Sequence, residues 1–285
     1  MESTSAGSAS TATAQRGPTR PRKQAVLEVT GKTRISPRLL RVTLGGQEYS
    51  QLNRNDHTDA YVKLLIADPA AGLQPPYDLD ALREQHPDLL PARRTYTVRH
   101  WDDEARSLDI DVVLHGDGED SGVAARWADG ALPGDRIALM GAGGDYTPAA
   151  STESHLLIGD HASLPAIAAS LEAMDPSATG VALIHLDHDE DQLDLPHPAG
   201  IELRWVIGAR EQLLEEVSAL DLSVPERFGV FCHAERGLTK QLRRILVKEA
   251  GIPREQVSIS AYWALGRIED QFQAEKREPI GAIDD

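Results

Sequence analysis

The chain has 285 residues, enough for two domains of ordinary size, and its 41% hydrophobic and 26% charged residues exclude a chain disordered throughout. Twenty-nine Lys and Arg against 45 Asp and Glu leave a net charge of −16, which argues against a globally basic nucleic-acid binder. No apolar run nears the roughly 18 residues that cross a bilayer, and the single cysteine, Cys232, excludes an internal disulfide, a cysteine-based zinc site and a ferredoxin-type cluster.

In chain order, residues 1–22 are rich in Ser, Thr, Ala, Gly, Pro and Arg and lack the apolar stretch of a secretory signal; a disordered leader is expected. Residues 16–54 carry nine Lys or Arg against two Glu, a net of +7 on an otherwise acidic chain, which suggests a local anion site. From Gln24 six short stretches are alternating or β-branched: QAVLEVTG, RLLRVTLG, AYVKLLIAD, RTYTVRHW, LDIDVVLHG and DRIALMG. Turn signals such as Gly45-Gly46, Asp102-Asp103 and Pro133-Gly134 separate them, which predicts a small antiparallel barrel. Residues 70–92 and 120–130 interrupt it as irregular or helical segments. After residue 150 the rhythm alternates. HLLIGD, GVALIHL, IELRWVI, FGVFCHA and VSISAYW read as strands. SLPAIAASLEAM, with Ser163 as a cap, REQLLEEVSAL and GLTKQLRRILVKEAG read as helices. That alternation predicts a doubly wound parallel sheet.

An open parallel sheet binds ligands beyond the carboxyl ends of its strands. Gly159-Asp160-His161-Ala162-Ser163 lies there, as a phosphate-binding helix start or an ordinary turn. His233-Ala234-Glu235 reaches the same edge. Asp187-His188-Asp189-Glu190-Asp191 reads as a solvated acidic loop rather than a metal site, and the histidines show no metal-ligand spacing. In the barrel half, Arg94 and Tyr96 would share one strand face, an Arg for a pyrophosphate and a flat ring for an aromatic cofactor. Thr97 would join them if the strand bulges. Gly122-Val123-Ala124 opens a second helix and a second possible phosphate cradle. Two cradles and an aromatic platform suit a dinucleotide such as FAD.

These motifs, in this order, resemble the siderophore-interacting protein family, FAD-dependent ferric-siderophore reductases of the ferredoxin-reductase superfamily. The resemblance covers about residues 24–275. It is carried by RRTYTVRHWDDEARSLDIDVVLHGDG (93–118), GVAARWA (122–128), PGDRIALMGAGG, GDHASLPAI and SAYWALGRIED. It implies a six-stranded antiparallel FAD-binding β-barrel over 23–148. A doubly wound, parallel-sheet NAD(P)-binding domain with a C-terminal helical segment would follow over 149–285. By that resemblance Arg94, Thr95, Tyr96 and Thr97 hold the flavin and its phosphates, and Asp111, Val113 and His115 line the next part of the FAD site. Gly122, Val123, Ala124 and Ala125 cradle the pyrophosphate, while Asp160, Ala162 and Glu235 face NAD(P)H. Lys63 would meet an anionic ferric siderophore, helped by Arg99, Arg41 and Arg267 near the flavin edge. The implied protein is a cytoplasmic monomer without a resident metal.

The chain also departs from the family pattern. Val123 stands for Pro, and residues Glu119, Asp120 and Ser121 lengthen the loop after His115. His161 and Ser163 replace Glu and Ala, and Cys232-His233 replaces Ala-Gly. Ala261 replaces Gly, and Ala264 replaces the Arg after Tyr262-Trp263, leaving Arg267 as a substitute. A flavin reductase with another acceptor, or a module that binds without turnover, stays open. So does the donor, with Arg210 and Arg236 as candidates for a 2′-phosphate.

Overall fold

The barrel strands follow the alternation of the sequence. The computed structural model describes residues 23–116, 121–223 and 227–283; the leader 1–22 and part of the loop after His115 lie outside them. Strands β1 (Gln24–Ser36), β2 (Leu39–Gly45), β3 (Tyr61–Ile66), β4 (Ala92–Asp102), β5 (Ser107–Val113) and β6 (Arg136–Gly143) close in the order β1-β2-β5-β4-β3-β6. Every pair is antiparallel. Alternate residues such as Leu27, Val42, Leu64, Ile110 and Leu139 fill the interior and are fully buried. Each contributes about 1.5–3 kcal/mol by leaving water. The two interruptions hold short helices, α1 (Leu79–Gln85) and α2 (Val123–Gly130). Ala124 and Ala128 of α2 pack on the barrel core.

The second half is a five-stranded parallel sheet in the order β11-β10-β7-β8-β9. Its elements are β7 (Ser154–Asp160), α3 (Leu164–Ala173), β8 (Thr179–Leu186), β9 (Gly200–Ile207), α4 (Glu211–Ser218), β10 (Phe228–Glu235), α5 (Arg236–Arg243), β11 (Val257–Trp263) and α6 (Glu269–Glu275). Leu157, Ile184 and Phe231 face α3, while Leu156, Ile158, Val230 and Leu242 join the layer of α4 and α5. Both faces are covered, which is why the strands read as near-continuous apolar runs. Ser163 precedes α3 but caps nothing with its side chain. Its Oγ instead accepts from Asp160 N and donates to Asp160 O, both at 3.0 Å, because the turn after β7 folds back on itself.

The acidic loop 187–191 is not simply solvated. Asp191 is buried and accepts from Ser36 Oγ (2.7 Å), Arg38 N (2.9 Å) and Arg38 Nη1 (3.1 Å), tying the β1–β2 turn to the sheet. Burial opposes its charge, yet those hydrogen bonds hold the carboxyl below the usual range. Thr58 Oγ1 against Ser170 Oγ (2.8 Å) and Arg99 against Glu172 of α3 make further joins between the halves. Among the described residues of the basic segment, Arg34 pairs with Asp129, Arg38 with Asp191, Arg41 with Asp111 and Arg54 with Asp103. Those four charges therefore serve the fold. No helix among the described residues is long and apolar enough to cross a membrane, and no group of three His, Cys, Asp or Glu there is placed to hold a metal.

Candidate functional site

Barrel and sheet face each other across one cleft of about 1820 Å3, above the roughly 300–1000 Å3 of ordinary small-ligand pockets. Lys63, Arg94 to Thr97, Asp111, Val113, His115, Gly122 to Ala125, Asp160, Ala162, Glu235 and Arg267 all line it. The barrel wall comes from β3 and β4, paired Lys63 with Thr95 and Tyr61 with Thr97. Directly opposite residues share a face. Thr95 and Thr97 therefore stand with Lys63 and Tyr61, while Arg94 and Tyr96 stand with Leu64 and Val62. Tyr96 packs on the barrel core, and burial pushes its hydroxyl pKa up. The bulge that was to swing Thr97 beside Tyr96 falls later, between Val98 and His100. Thr97 instead faces the cleft near Tyr262 of β11.

Next to this wall, Gly122 precedes α2 without any side-chain cap. A Cβ there would lie 3.0 Å from His115 Cε1, so glycine lets the helix start seat against that ring. The first-turn amides have no intrahelical partner and suit a phosphate. With Arg94, whose side chain is 18% exposed, and the ring of Tyr96, the set fits a flavin dinucleotide. Asp111 lines the cleft, but its carboxylate is held in a two-point pair by Arg41 at 2.7 and 2.8 Å.

The opposite wall is the carboxyl edge of the sheet. Asp160 is buried and all its bonds are internal. Oδ1 accepts from Ala162 N (3.0 Å), and Oδ2 from Glu235 N and Trp263 Nε1, both at 2.8 Å. Burial raises its pKa against those bonds. Glu235 accepts from Leu238 N (3.0 Å) as the cap of α5 and from Leu265 N (3.1 Å). The two acids tie together the ends of β7, β10 and β11, which is a positioning task. A Cβ at Gly159 would run into Ser163 Oγ. His233 fills the space beside them. Its ring stacks on Phe231 at 4.1 Å and meets the Tyr262 ring edge-on at 4.8 Å. Nε2 lies 3.0 Å from Ser258 Oγ, and Nδ1 has no partner among the described residues. Burial, then Lys276, lowers its pKa to about 3, so the imidazole is neutral.

The sequence leaves open whether the C-terminal segment 267–285 folds back over the cleft; it does. Helix α6 folds onto β4: Glu269 accepts from Thr95 N (3.0 Å) and Thr95 Oγ1 (2.5 Å), and Asp270 pairs with Arg94 at 3.3 Å. The run GRIED was noticed, but contacts 174 and 176 residues apart carry no local signal. Of the expected basic residues, Arg41 pairs with Asp111, Arg99 with Glu172 and Arg267 with Glu275 at 2.5 Å. Lys63 sits 5.6 Å over the ring of Tyr61. Lys276 is a cleft cation the sequence did not single out; burial, then Lys63, lowers its pKa.

Comparison with known proteins agrees with this architecture. The Siderophore-interacting FAD-binding domain profile matches residues 28–146, and the Siderophore-interacting protein profile matches 152–266. An uncharacterized protein of Mycobacterium tuberculosis is 37% identical over 268 residues, 88% of this chain and 94% of that one. The ferric vibriobactin reductase ViuB of Vibrio cholerae is 30% identical over 257 residues, 88% and 93% of the two chains. The crystal structure of the siderophore-interacting protein SipS from Aeromonas hydrophila superposes with a TM-score of 0.74 at 29% identity, covering 92% of this chain and 99% of that one. Ferredoxin reductases of much lower identity share the fold alone. The chain belongs to the siderophore-interacting protein family.

Proposed function

We propose that this protein is a cytoplasmic, monomeric flavoprotein that uses NAD(P)H to reduce ferric siderophores and release Fe(II). The observation that carries the reading is the single cleft shared by the Arg94–Thr97 strand, the start of α2 and the carboxyl edge of the sheet. FAD, when bound, supplies the step between a two-electron nicotinamide donor and one-electron Fe(III). The chain's own residues bind and orient. Arg94 would hold the diphosphate, and the α2 amides from Gly122 to Ala125 its second side. Tyr96 offers the apolar platform, with Thr97 and Tyr262 closing the space between barrel and sheet. Ala162, on the loop fixed by Asp160 and Glu235, lies where a nucleotide meets the sheet. Lys63, with Arg267 on the rim, would draw an anionic chelate against the negative field of the whole chain. Reduction releases the metal because hard oxygen ligands grip Fe(III) far better than Fe(II).

The test is an absorbance spectrum of the purified protein, then anaerobic NADH or NADPH, then a ferric siderophore with an Fe(II) trap. Flavin bands that bleach with nucleotide and return with the chelate, as trapped Fe(II) appears, support the reading. No flavin uptake after incubation with FAD refutes it. Lys63→Ala should raise the KM for an anionic chelate and leave flavin content unchanged. One observation favours a second reading, binding without turnover: His233 fills a place where the family pattern has Gly, beside the donor wall. Flavin that binds but never bleaches would select it.

A further inference from the structure

The sheet edge also bears on which donor is used, an inference that rests on the reading that a nicotinamide nucleotide binds there. In the order β9-β8-β7-β10-β11, chain direction reverses its march between β7 and β10. A dinucleotide on such an edge lays its diphosphate at the turn after the first strand. Its adenosine ribose sits at the end of the second, where an acid takes the 2′-hydroxyl or an Arg the 2′-phosphate. The second strand here is β8, which ends at Leu186. Asp187 follows it, exposed and lining the cleft; of the run 187–191 it is the one residue that does so. It has no hydrogen-bond or ion-pair partner among the described residues.

The cations that could reverse this charge are engaged elsewhere. Arg38 serves Asp191 and Glu190. Arg204 pairs with Glu202 at 2.7 Å, and Arg236 with Glu275 at 2.6 Å. His161 has its pKa lowered by burial, and His185 Nε2 lies on Gly208 O at 2.7 Å. Arg210 faces the cleft without an anionic partner among the described residues, and its side chain reaches from the end of β9 toward the end of β7. Its guanidinium carbon lies 5.6 Å over the ring of Trp263, and Trp263 Nε1 is bonded to Asp160 at the end of β7. Arg210 thus stands over the first-strand turn, where the diphosphate common to both donors would lie.

We propose that Asp187 makes NADH the preferred donor, by bonding the adenosine ribose and repelling a 2′-phosphate, while Arg210 holds the diphosphate without discriminating. The experiment measures affinities of ADP-ribose and 2′-phospho-ADP-ribose, which share the diphosphate and differ only in the 2′-phosphate, on the full chain by titration calorimetry, beside kcat/KM for NADH and NADPH with a ferric chelate. Wild type should favour ADP-ribose and NADH by about tenfold or more. Asp187→Ser should shrink that ratio by about fivefold or more, and Asp187→Glu should preserve it. Arg210→Met should weaken both nucleotides by a similar factor of roughly 5–10. Equal or tighter binding of 2′-phospho-ADP-ribose, an unmoved ratio in Asp187→Ser, or loss confined to 2′-phosphorylated ligands in Arg210→Met overturns the proposal. Donors that reduce the flavin with a flat ratio defeat this inference alone. Failure of both nucleotides to bind and of both donors to react defeats the nicotinamide reading with it.

Discussion

Arg94→Ala should weaken FAD binding by about 10–150-fold, and Asp270 decides how the loss divides. The guanidinium touches Asp270 through one nitrogen, Nη1, at 3.3 Å, and the same atom donates to Arg93 O at 2.8 Å. Nε and Nη2 are left to face a diphosphate. Two charge-assisted bonds are each worth about 1.5–3 kcal/mol. The open cleft and solvent screening halve their sum to about 1.5–3 kcal/mol, which gives the factor above. The Asp270 pair is half-exposed on the acid's side and contributes only about 0.2–1 kcal/mol. Asp270→Asn should therefore tighten FAD by up to about fivefold, because Arg94 no longer divides its field. Titration of flavin-free protein, followed by quenching of flavin fluorescence, measures both. The double variant closes the cycle: in the Arg94→Ala background Asp270→Asn should have no effect on FAD. A loss below threefold in Arg94→Ala at low salt, or an Asp270→Asn effect that survives without Arg94, would refute the assignment of the phosphates to this strand.

Two other perturbations test the frame that holds the cleft. Asp191→Ala leaves Ser36 and the Arg38 amide without their acceptor, so stability should fall by about 2–4 kcal/mol and Tm by roughly 5–10 °C in calorimetry. Because its carboxyl is held below its unfolded value, Asp191 stabilises above about pH 4 and loses that contribution as pH falls through the lower folded value; the variant should lack this acid-side decline. His233 has the opposite origin and a wider window. Its folded pKa is about 3 against 6.5 unfolded, so the unfolded chain binds the extra proton between those values and stability falls as pH drops from about 6.5. Comparing urea midpoints at pH 7 and pH 5 should show a smaller loss in His233→Gln than in wild type; equal losses would mean that the imidazole is not held neutral.

Most of the architecture was legible because strand and helix periods are local. The six barrel stretches and the five sheet strands stand where alternation and turn residues put them, and the run RTYTVRHW is β4. What escaped reading depends on partners far along the chain. Asp191 sits in a run of acids that looks solvated, but only the folded β1–β2 turn supplies Ser36 and Arg38. Thr97 was assigned to the face of Tyr96 by assuming a bulge whose position is set by pairing with β5, not by the residues around it. The strap from Glu269 to Thr95 joins the last helix to the fourth strand. Arg41 and Arg99 each have an acid neighbour that no spacing reveals, and Arg267 lines the cleft while paired with Glu275.

Glu235 separates contact from positioning, and the distinction can be measured. Both of its oxygens accept backbone amides, one starting α5 and one fixing the turn after β11. The side chain is buried and sits beside Asp160, whose three bonds hold the same junction. If Glu235 touched the nucleotide directly, Glu235→Gln would raise the donor's KM with little change in Tm, since the amide oxygen still accepts one bond. A positioning role predicts otherwise. The amide NH2 would face a backbone N–H, either Leu238 or Leu265, and one buried donor would lose its acceptor at a cost of about 1–3 kcal/mol. For a chain of this size that is a drop of roughly 3–10 °C in Tm. It should come with a loss of nucleotide affinity that is the same for NADH, NADPH and 5′-ADP, because the whole loop shifts and no single ligand group is missed. A KM change without a Tm change, or one confined to ligands that carry nicotinamide, would return Glu235 to the ligand and leave Asp160 alone to order the strand ends.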